Sequence, residues 1–264
     1  MLKDITIGQY IPGVSPVHKL DPRTKIICLV FYMVGLFLVN NFSGYVFVTF
    51  FTLLIIFLSQ IPLLTIVKGF KPLILIILLT LILHVFMTEG EVIWQWGFLK
   101  ITWEGLRQGI FMALRLIYLV TITSLLTLTT TPIALTDGLE RVLKAFHMPL
   151  AHELAMMMTI ALRFIPTLIE ETEKIMKAQM ARGADFESGG LLSRAKSLIP
   201  LLVPLFLSSF RRADELAMAM EARCYRGGEK RTRLKQLQMM SRDYFAFFII
   251  FIFMGITLYS RWFF

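Results

Sequence analysis

Five stretches of this chain are long and apolar enough to be a poor fit for any water-soluble fold, and they fix what it can become. Crossing about 30 Å of hydrocarbon takes roughly 20 apolar residues, and runs of that kind recur at 25–41, 43–60, 72–88, 108–130 and 244–260. Only helices and closed barrels satisfy their backbone polar groups in lipid, and runs of this length without strand alternation predict helices. The chain is also only 17% charged, where soluble domains carry about 25%. The expected fold class is all-α, a polytopic membrane protein with about five transmembrane helices. Residues 1–24 form an N-terminal arm and 25–131 hold four spans. Residues 132–243 form a long intervening segment, and 244–264 carry the last span.

Basic residues orient the spans, because Lys and Arg accumulate in cytoplasmic loops. The arm carries Lys3, Lys19, Arg23 and Lys25, and the second loop carries Lys68 and Lys71. The first loop, 40–44, has none, and the third sets Glu89, Glu91 and Glu104 against Lys100, with Arg107 at its far edge. Trp94, Trp96 and Trp103 in that loop suit an interfacial aromatic belt. The N-terminus is therefore expected inside a bacterial plasma membrane, with loops one and three outside and the C-terminus outside. No cleavable signal peptide is expected, since the polar start from Met1 to Asp4 has no apolar core. Cys28 and Cys224 are far apart in unlike settings, which argues against a disulfide framework.

The segment 132–243 is then cytoplasmic. It carries seventeen Lys and Arg between 141 and 242, against thirteen Asp and Glu between 137 and 243. Its pattern is helical, and its apolar patches at 155–162, 198–206 and 216–220 need partners. Long amphipathic helices against a membrane face or another protein meet that need. The net charge of +9 suits an anionic leaflet; basic residues interleaved with acids, without a clustered face, exclude nucleic acid as a partner. Ten of the fifteen methionines fall here. Two explanations fit: ordinary helix cores that use Met, or surfaces that repack as partners change.

Two arms of this segment are alike. One runs from Phe164-Ile165-Pro166 through Glu170-Glu171-Thr172-Glu173 to Ala181-Arg182-Gly183. The other runs from Pro200 and Pro204 through Arg211-Arg212-Ala213-Asp214-Glu215 to Ala222-Arg223-Cys224. Each reads as a helix entered near proline and ending in Ala-Arg plus a small residue. Gly183 is a natural left-handed helix stop, and a last-turn arginine suits the helix dipole. That local explanation accounts for one such end better than for two matched ones. The opposite charges on the helix bodies fit either a crossing pair or two separately solvated faces.

Paired Ala-Arg-Gly ends, with the opening Gly8-Gln9-Tyr10-Ile11-Pro12-Gly13-Val14-Ser15-Pro16-Val17-His18-Lys19-Leu20-Asp21-Pro22-Arg23-Thr24-Lys25, resemble the transmembrane T components of energy-coupling factor (ECF) transporters, the CbiQ/EcfT family. The resemblance covers essentially the whole chain. It implies long cytoplasmic coupling helices whose ends dock into two ABC-type ATPase subunits, with Arg182 and Arg223 making the central contacts and Ala181, Gly183, Ala222 and Cys224 beside them. It implies a separate small membrane-embedded substrate-binding subunit for a vitamin or metal ion. Cys224 departs from the pattern, which has glycine there.

Enzyme motifs fail on spacing. No phosphate-binding G-x-x-x-x-G-K-[ST] exists, and Gly227-Gly228-Glu229-Lys230 lacks its spacing, so ATP hydrolysis belongs to a partner. His152-Glu153 begins like a zinc-protease helix, but Met156 stands where the second histidine is required. No catalytic residue, metal site or cofactor is expected. A stand-alone secondary transporter or channel is the alternative, and it calls for converging mid-membrane polar residues and inverted repeats. Arg115 and His84 are the ionisable residues within the expected spans. Arg115 fits a partner-facing role or the bundle interior, and His84 fits a structural one.

Overall fold

The computed structural model describes residues 10–96, 99–148, 150–184, 186, 190, 197–225, 227 and 237–263. Lys3, the Gly8-Gln9 start of the opening motif, Gly228 to Lys230 and Phe264 lie outside them. Nine helices are found among the described residues: α1 (Pro22–Leu38), α2 (Phe42–Ser59), α3 (Leu63–Phe70), α4 (Ile74–Met87), α5 (Trp103–Thr129), α6 (Pro132–Ala145), α7 (Ala151–Ala181), α8 (Ile199–Ala222) and α9 (Ser241–Phe263). Strands β1 (Val92–Trp96) and β2 (Leu99–Thr102) pair antiparallel, with Trp94 opposite Ile101. The chain divides into two compact units, one drawn from Gly8–Leu139 with Leu237–Phe264, the other from Glu140–Gln236.

The first unit is a membrane-type bundle. Helices α2, α5 and α9 are each long and apolar enough to cross a bilayer, and α3 with α4 makes a further crossing bent by 62°. At 17 residues α1 measures about 26 Å, close to the hydrocarbon thickness, and it packs against α9 and α5. Tyr32 and Leu36 of α1, its C-cap Val39, Val48 of α2 and Phe253 of α9 are fully enclosed. Outward-facing Phe42, Phe57, Leu64 and Leu75 stay largely exposed, an apolar exterior that suits lipid rather than water.

Aromatic stacking and hydroxyl bonds knit the helices. The Tyr32 and Phe253 rings stack at 5.2 Å, and Phe51 and Phe253 at 4.5 Å. Tyr32 and Thr52 share a 2.6 Å hydroxyl bond between α1 and α2, and Thr49 and Tyr118 another between α2 and α5. Such bonds hold membrane helices together where the hydrophobic effect cannot. Helix α5 tolerates its threonines because Thr121, Thr123 and Thr129 each donate to the carbonyl four residues back, which satisfies those hydroxyls within the helix.

The close approach of α4 to α5 depends on glycine. A side chain at Gly105 would stand 2.8 Å from the His84 carbonyl oxygen, and one at Gly109 3.3 Å from that of Leu81. With buried Ala113, small residues recur every fourth position of α5, a ridge that lets helix backbones approach closely.

Several expectations are corrected here. The third span was expected at 72–88 with Pro72 in its first turn; α4 starts at Ile74, and 71–73 form the bend behind α3. Pro72 has no backbone N–H with which to extend the hydrogen-bond ladder of α3, so the helix breaks there. The third loop contains the β1–β2 hairpin, whose strands are too short to register as a pattern among tryptophans. Lys25, counted among the basic residues of the cytoplasmic arm, is buried: its Nζ donates to the Thr129 carbonyl at 2.9 Å and the Thr130 hydroxyl at 3.0 Å.

In the second unit α7 and α8 pack together. Pro166 lies well inside α7, not at its entry, and Pro200 sits in the first turn of α8. Part of α7 is also long and apolar enough to cross a membrane, although from Glu170 onward the helix is strongly charged.

Candidate interface at two matched helix ends

Both arms stop in the same way. In α7 the last helical residue is Ala181, and Arg182 is the C-cap. The Gly183 amide donates to the Met180 carbonyl and the Ala184 amide to that of Gln179, both at 3.0 Å. Gly183 takes φ +87°. This is the Schellman arrangement, which satisfies carbonyls that a helix end would otherwise leave open. In α8 Ala222 is last and Arg223 is the C-cap. The Cys224 amide donates to Glu221 at 2.8 Å, and the Tyr225 amide to Met220 at 3.0 Å. Cys224 takes φ +55°, the left-handed turn that glycine makes in the first arm. The helix-end geometry therefore survives the replacement of glycine, at roughly 1 kcal/mol for a side chain in that region.

Arg182 and Arg223 are exposed, and neither forms an ion pair among the described residues. An arginine at a helix tip presents a planar, permanently charged fork with five donors, suited to paired carboxylates or backbone carbonyls. Ala181 and Ala222 precede them with minimal side chains, so a partner surface can reach the helix end.

The bodies of the two arms are joined. Arg212 Nη2 donates to Glu171 Oε2 at 2.7 Å, and the Ser208 hydroxyl donates to the other carboxylate oxygen. Further along, Gln179 Nε2 reaches the Pro200 carbonyl at 3.4 Å. These contacts advance along α7 while they retreat along α8, so the helices run antiparallel and their arginine ends point apart. The crossing-pair reading thus holds for Glu171 and Arg212. Arg211 instead faces Glu215 of its own helix at 3.9 Å on an open surface. The Ser208 bond first, and Arg212 with it, hold the Glu171 carboxyl below the usual carboxylate range.

A model of the CbiQ family, described as "Cobalt transport protein", matches residues 13–234. A transmembrane protein EcfT of an energy-coupling factor transporter from Thermosediminibacter oceani is 63% identical over 249 residues, covering 93% of this chain and 94% of the relative. EcfT proteins from Clostridium kluyveri, at 58% over 266 residues (99% and 98% covered), and Bacillus subtilis, at 53% over 247 residues (92% and 93%), are similar along nearly their whole length.

The chain belongs to the CbiQ/EcfT family. It is the transmembrane component of an ECF transporter and a multi-pass protein of the bacterial membrane. The matched region takes in both Ala-Arg ends and the buried arm residues before α1.

For a CbiQ/EcfT chain, the remaining ionisable residues have structural assignments. Arg115 Nη2 donates to the carbonyl of Val39, the C-cap of α1, at 3.1 Å, and its guanidinium lies over the Phe37 ring; it closes a helix end inside the bundle. His84 bonds the Thr80 carbonyl at 2.9 Å within α4. His152 bonds buried Glu140 at 3.1 Å, and Lys144 meets the same carboxylate at 3.0 Å, so this histidine braces the start of α7. Two features were missed from sequence: the buried junction at Lys25 and the small-residue ridge of α5. The ridge was visible as Gly105, Gly109 and Ala113 at four-residue spacing; the junction had no signal beyond the arm motif itself.

Proposed function

We propose that this chain is the coupling subunit of an ECF importer, carrying ATP-driven motion from two ABC-type ATPase subunits to a separate membrane-embedded substrate-binding subunit. Ala181-Arg182-Gly183 and Ala222-Arg223-Cys224 are the docking ends, with Arg182 and Arg223 as the anchors. The observation that carries the reading is the pair of identical Schellman ends, each with an exposed arginine at the C-cap, on two helices bridged by Glu171 and Arg212. Closure of the ATPases would displace both tips, and a bridged pair responds as one lever. The cargo is a vitamin or a metal ion, chosen by the substrate-binding subunit.

The coupling helices lie in the cytoplasm in this account. Were α7 a crossing, α8 with Arg211, Arg212 and Arg223 would fall outside, against the positive-inside bias. Leaving α7 uncrossed keeps Lys68, Lys71, α7 and α8 on one side of five spans. The chain leaves the bundle unit after Leu139 and rejoins it at Leu237. At that return, Arg23 donates to the Leu237 carbonyl and Asp243 accepts the Asp21 amide, both at 2.8 Å.

A mild-detergent purification of the tagged chain, with mass spectrometry of its companions, tests the proposal. Two ABC-type ATPases and a small hydrophobic subunit are expected, and the ligand of the latter names the cargo. Recovery of the chain alone or as a homo-oligomer would return the stand-alone transporter reading to the front.

A further inference from the structure

A cleft of about 530 Å³ opens in the bundle between α1, α2, α5 and α9. Its walls are almost wholly apolar, with Cys28, Leu29, Phe51, Ile122 and Ile249 among them. Leu54 and Leu58 of α2 and Phe245 of α9 line it while remaining exposed, so the cleft communicates with the exterior of the bundle, where lipid lies. Its reach along α9, from Ser241 to Ile250, is about 13 Å at 1.5 Å per residue.

One end is basic. Lys25 lines it, but its ammonium is committed to Thr129, Thr130 and the His18 carbonyl, so it contributes mainly its stem. Arg242 also lines the cleft, is exposed, and has no ion pair among the described residues. The neighbouring acid, Asp243, is buried and accepts the Asp21 and Met240 amides, which removes it as a partner for Arg242. A long apolar slot with one uncommitted guanidinium at its polar end matches an acyl chain below an anionic headgroup.

Water is a poor occupant, because a buried water needs two to four polar partners and the walls here are almost wholly apolar. An empty slot would forfeit dispersion contacts along its whole lining. We propose that the cleft is a lipid site, holding one acyl chain of an anionic phospholipid from the adjoining leaflet, with the phosphate on Arg242. Basic pockets between membrane helices select anionic headgroups on the same grounds.

Native mass spectrometry of the full chain, released from micelles doped with equal phosphatidylglycerol and phosphatidylcholine, tests this. One retained phosphatidylglycerol is expected, favoured about fivefold, as one interfacial basic residue allows. Arg242→Gln should retain a lipid but lose the preference. Ala246→Phe, which fills the slot, should lose retention of both lipids, and Leu126→Trp provides a second filling variant should the first fold poorly. Retention of neither lipid by the wild-type chain would overturn the proposal. So would equal retention of the two, or filling variants that fold and retain lipid unchanged. If filling the slot instead releases a co-purifying protein subunit while lipid retention stays the same, the site belongs to that subunit and the lipid assignment is wrong.

Discussion

Glu171 and Arg212, bonded at 2.7 Å, each lie eleven residues before the arginine that ends their helix, Arg182 and Arg223. At 1.5 Å per residue each tip therefore stands about 17 Å beyond the bridge. In the coupling proposed above, a bridge placed equally far from the two helix ends acts as the fulcrum of a balanced lever. The pair is half-exposed, with Glu171 at 21% and Arg212 at 39%, so solvent screening keeps its contribution to stability near 1 kcal/mol or less. Its value lies in fixing how the helices cross. Glu171→Arg and Arg212→Glu should each lower uptake by the assembled transporter, and the double exchange should recover a large part of it. A double exchange no better than the single variants would show that the bridge does not position the arms.

The same carboxylate gives a pH prediction. Its pKa is depressed in the folded chain, by the Ser208 hydroxyl first and by Arg212. Stability from such a group is fully present above the ordinary glutamate value, near 4.3, and is lost as pH falls through the lower folded value. Thermal unfolding should be insensitive to this group from pH 7 to about 5 and should weaken below that. Ser208→Ala should flatten the acid-side loss, measured by scanning unfolding of the purified chain at stepped pH.

The Lys25 ammonium is a staple between the start of α1 and the end of α5. Lys25→Met keeps the stem but strands the Thr129 carbonyl and the Thr130 hydroxyl in a buried setting, a loss of about 1–3 kcal/mol. A lowered unfolding midpoint with normal membrane insertion is the expected result.

Cys224 holds a left-handed backbone that glycine adopts without strain. Cys224→Gly should stabilise the chain by about 1 kcal/mol, and Gly183→Ala should destabilise it by a similar amount. Paired unfolding curves check both signs. Shifts of the same sign at the two positions would contradict the equivalence of the two helix ends.

The bundle was legible because its cause is simple: lipid demands long apolar helices, and 25–41, 43–60, 108–130 and 244–260 stand within a few residues of α1, α2, α5 and α9. Discrepancies arose where tertiary contacts override local pattern. Lys25 looked like a cytoplasmic charge because sequence does not show that Thr129 and Thr130, about a hundred residues later, supply its acceptors. Pro166 looked like a helix entry, yet packing carries α7 through it. The helix ends at Arg182 and Arg223 could be located from motif alone, but Cys224 could not be reconciled with a glycine pattern until its φ of +55° was seen. The Glu171–Arg212 bridge was one of two readings of the same charges, and only the geometry separates them.

The most direct test is the double variant Arg182→Ala, Arg223→Ala in the intact transporter, read by cargo uptake and by ATPase co-purification in parallel. The account predicts normal membrane insertion, loss of uptake, and ATPases that no longer co-purify or no longer couple hydrolysis to transport. Normal uptake by the double variant would contradict it.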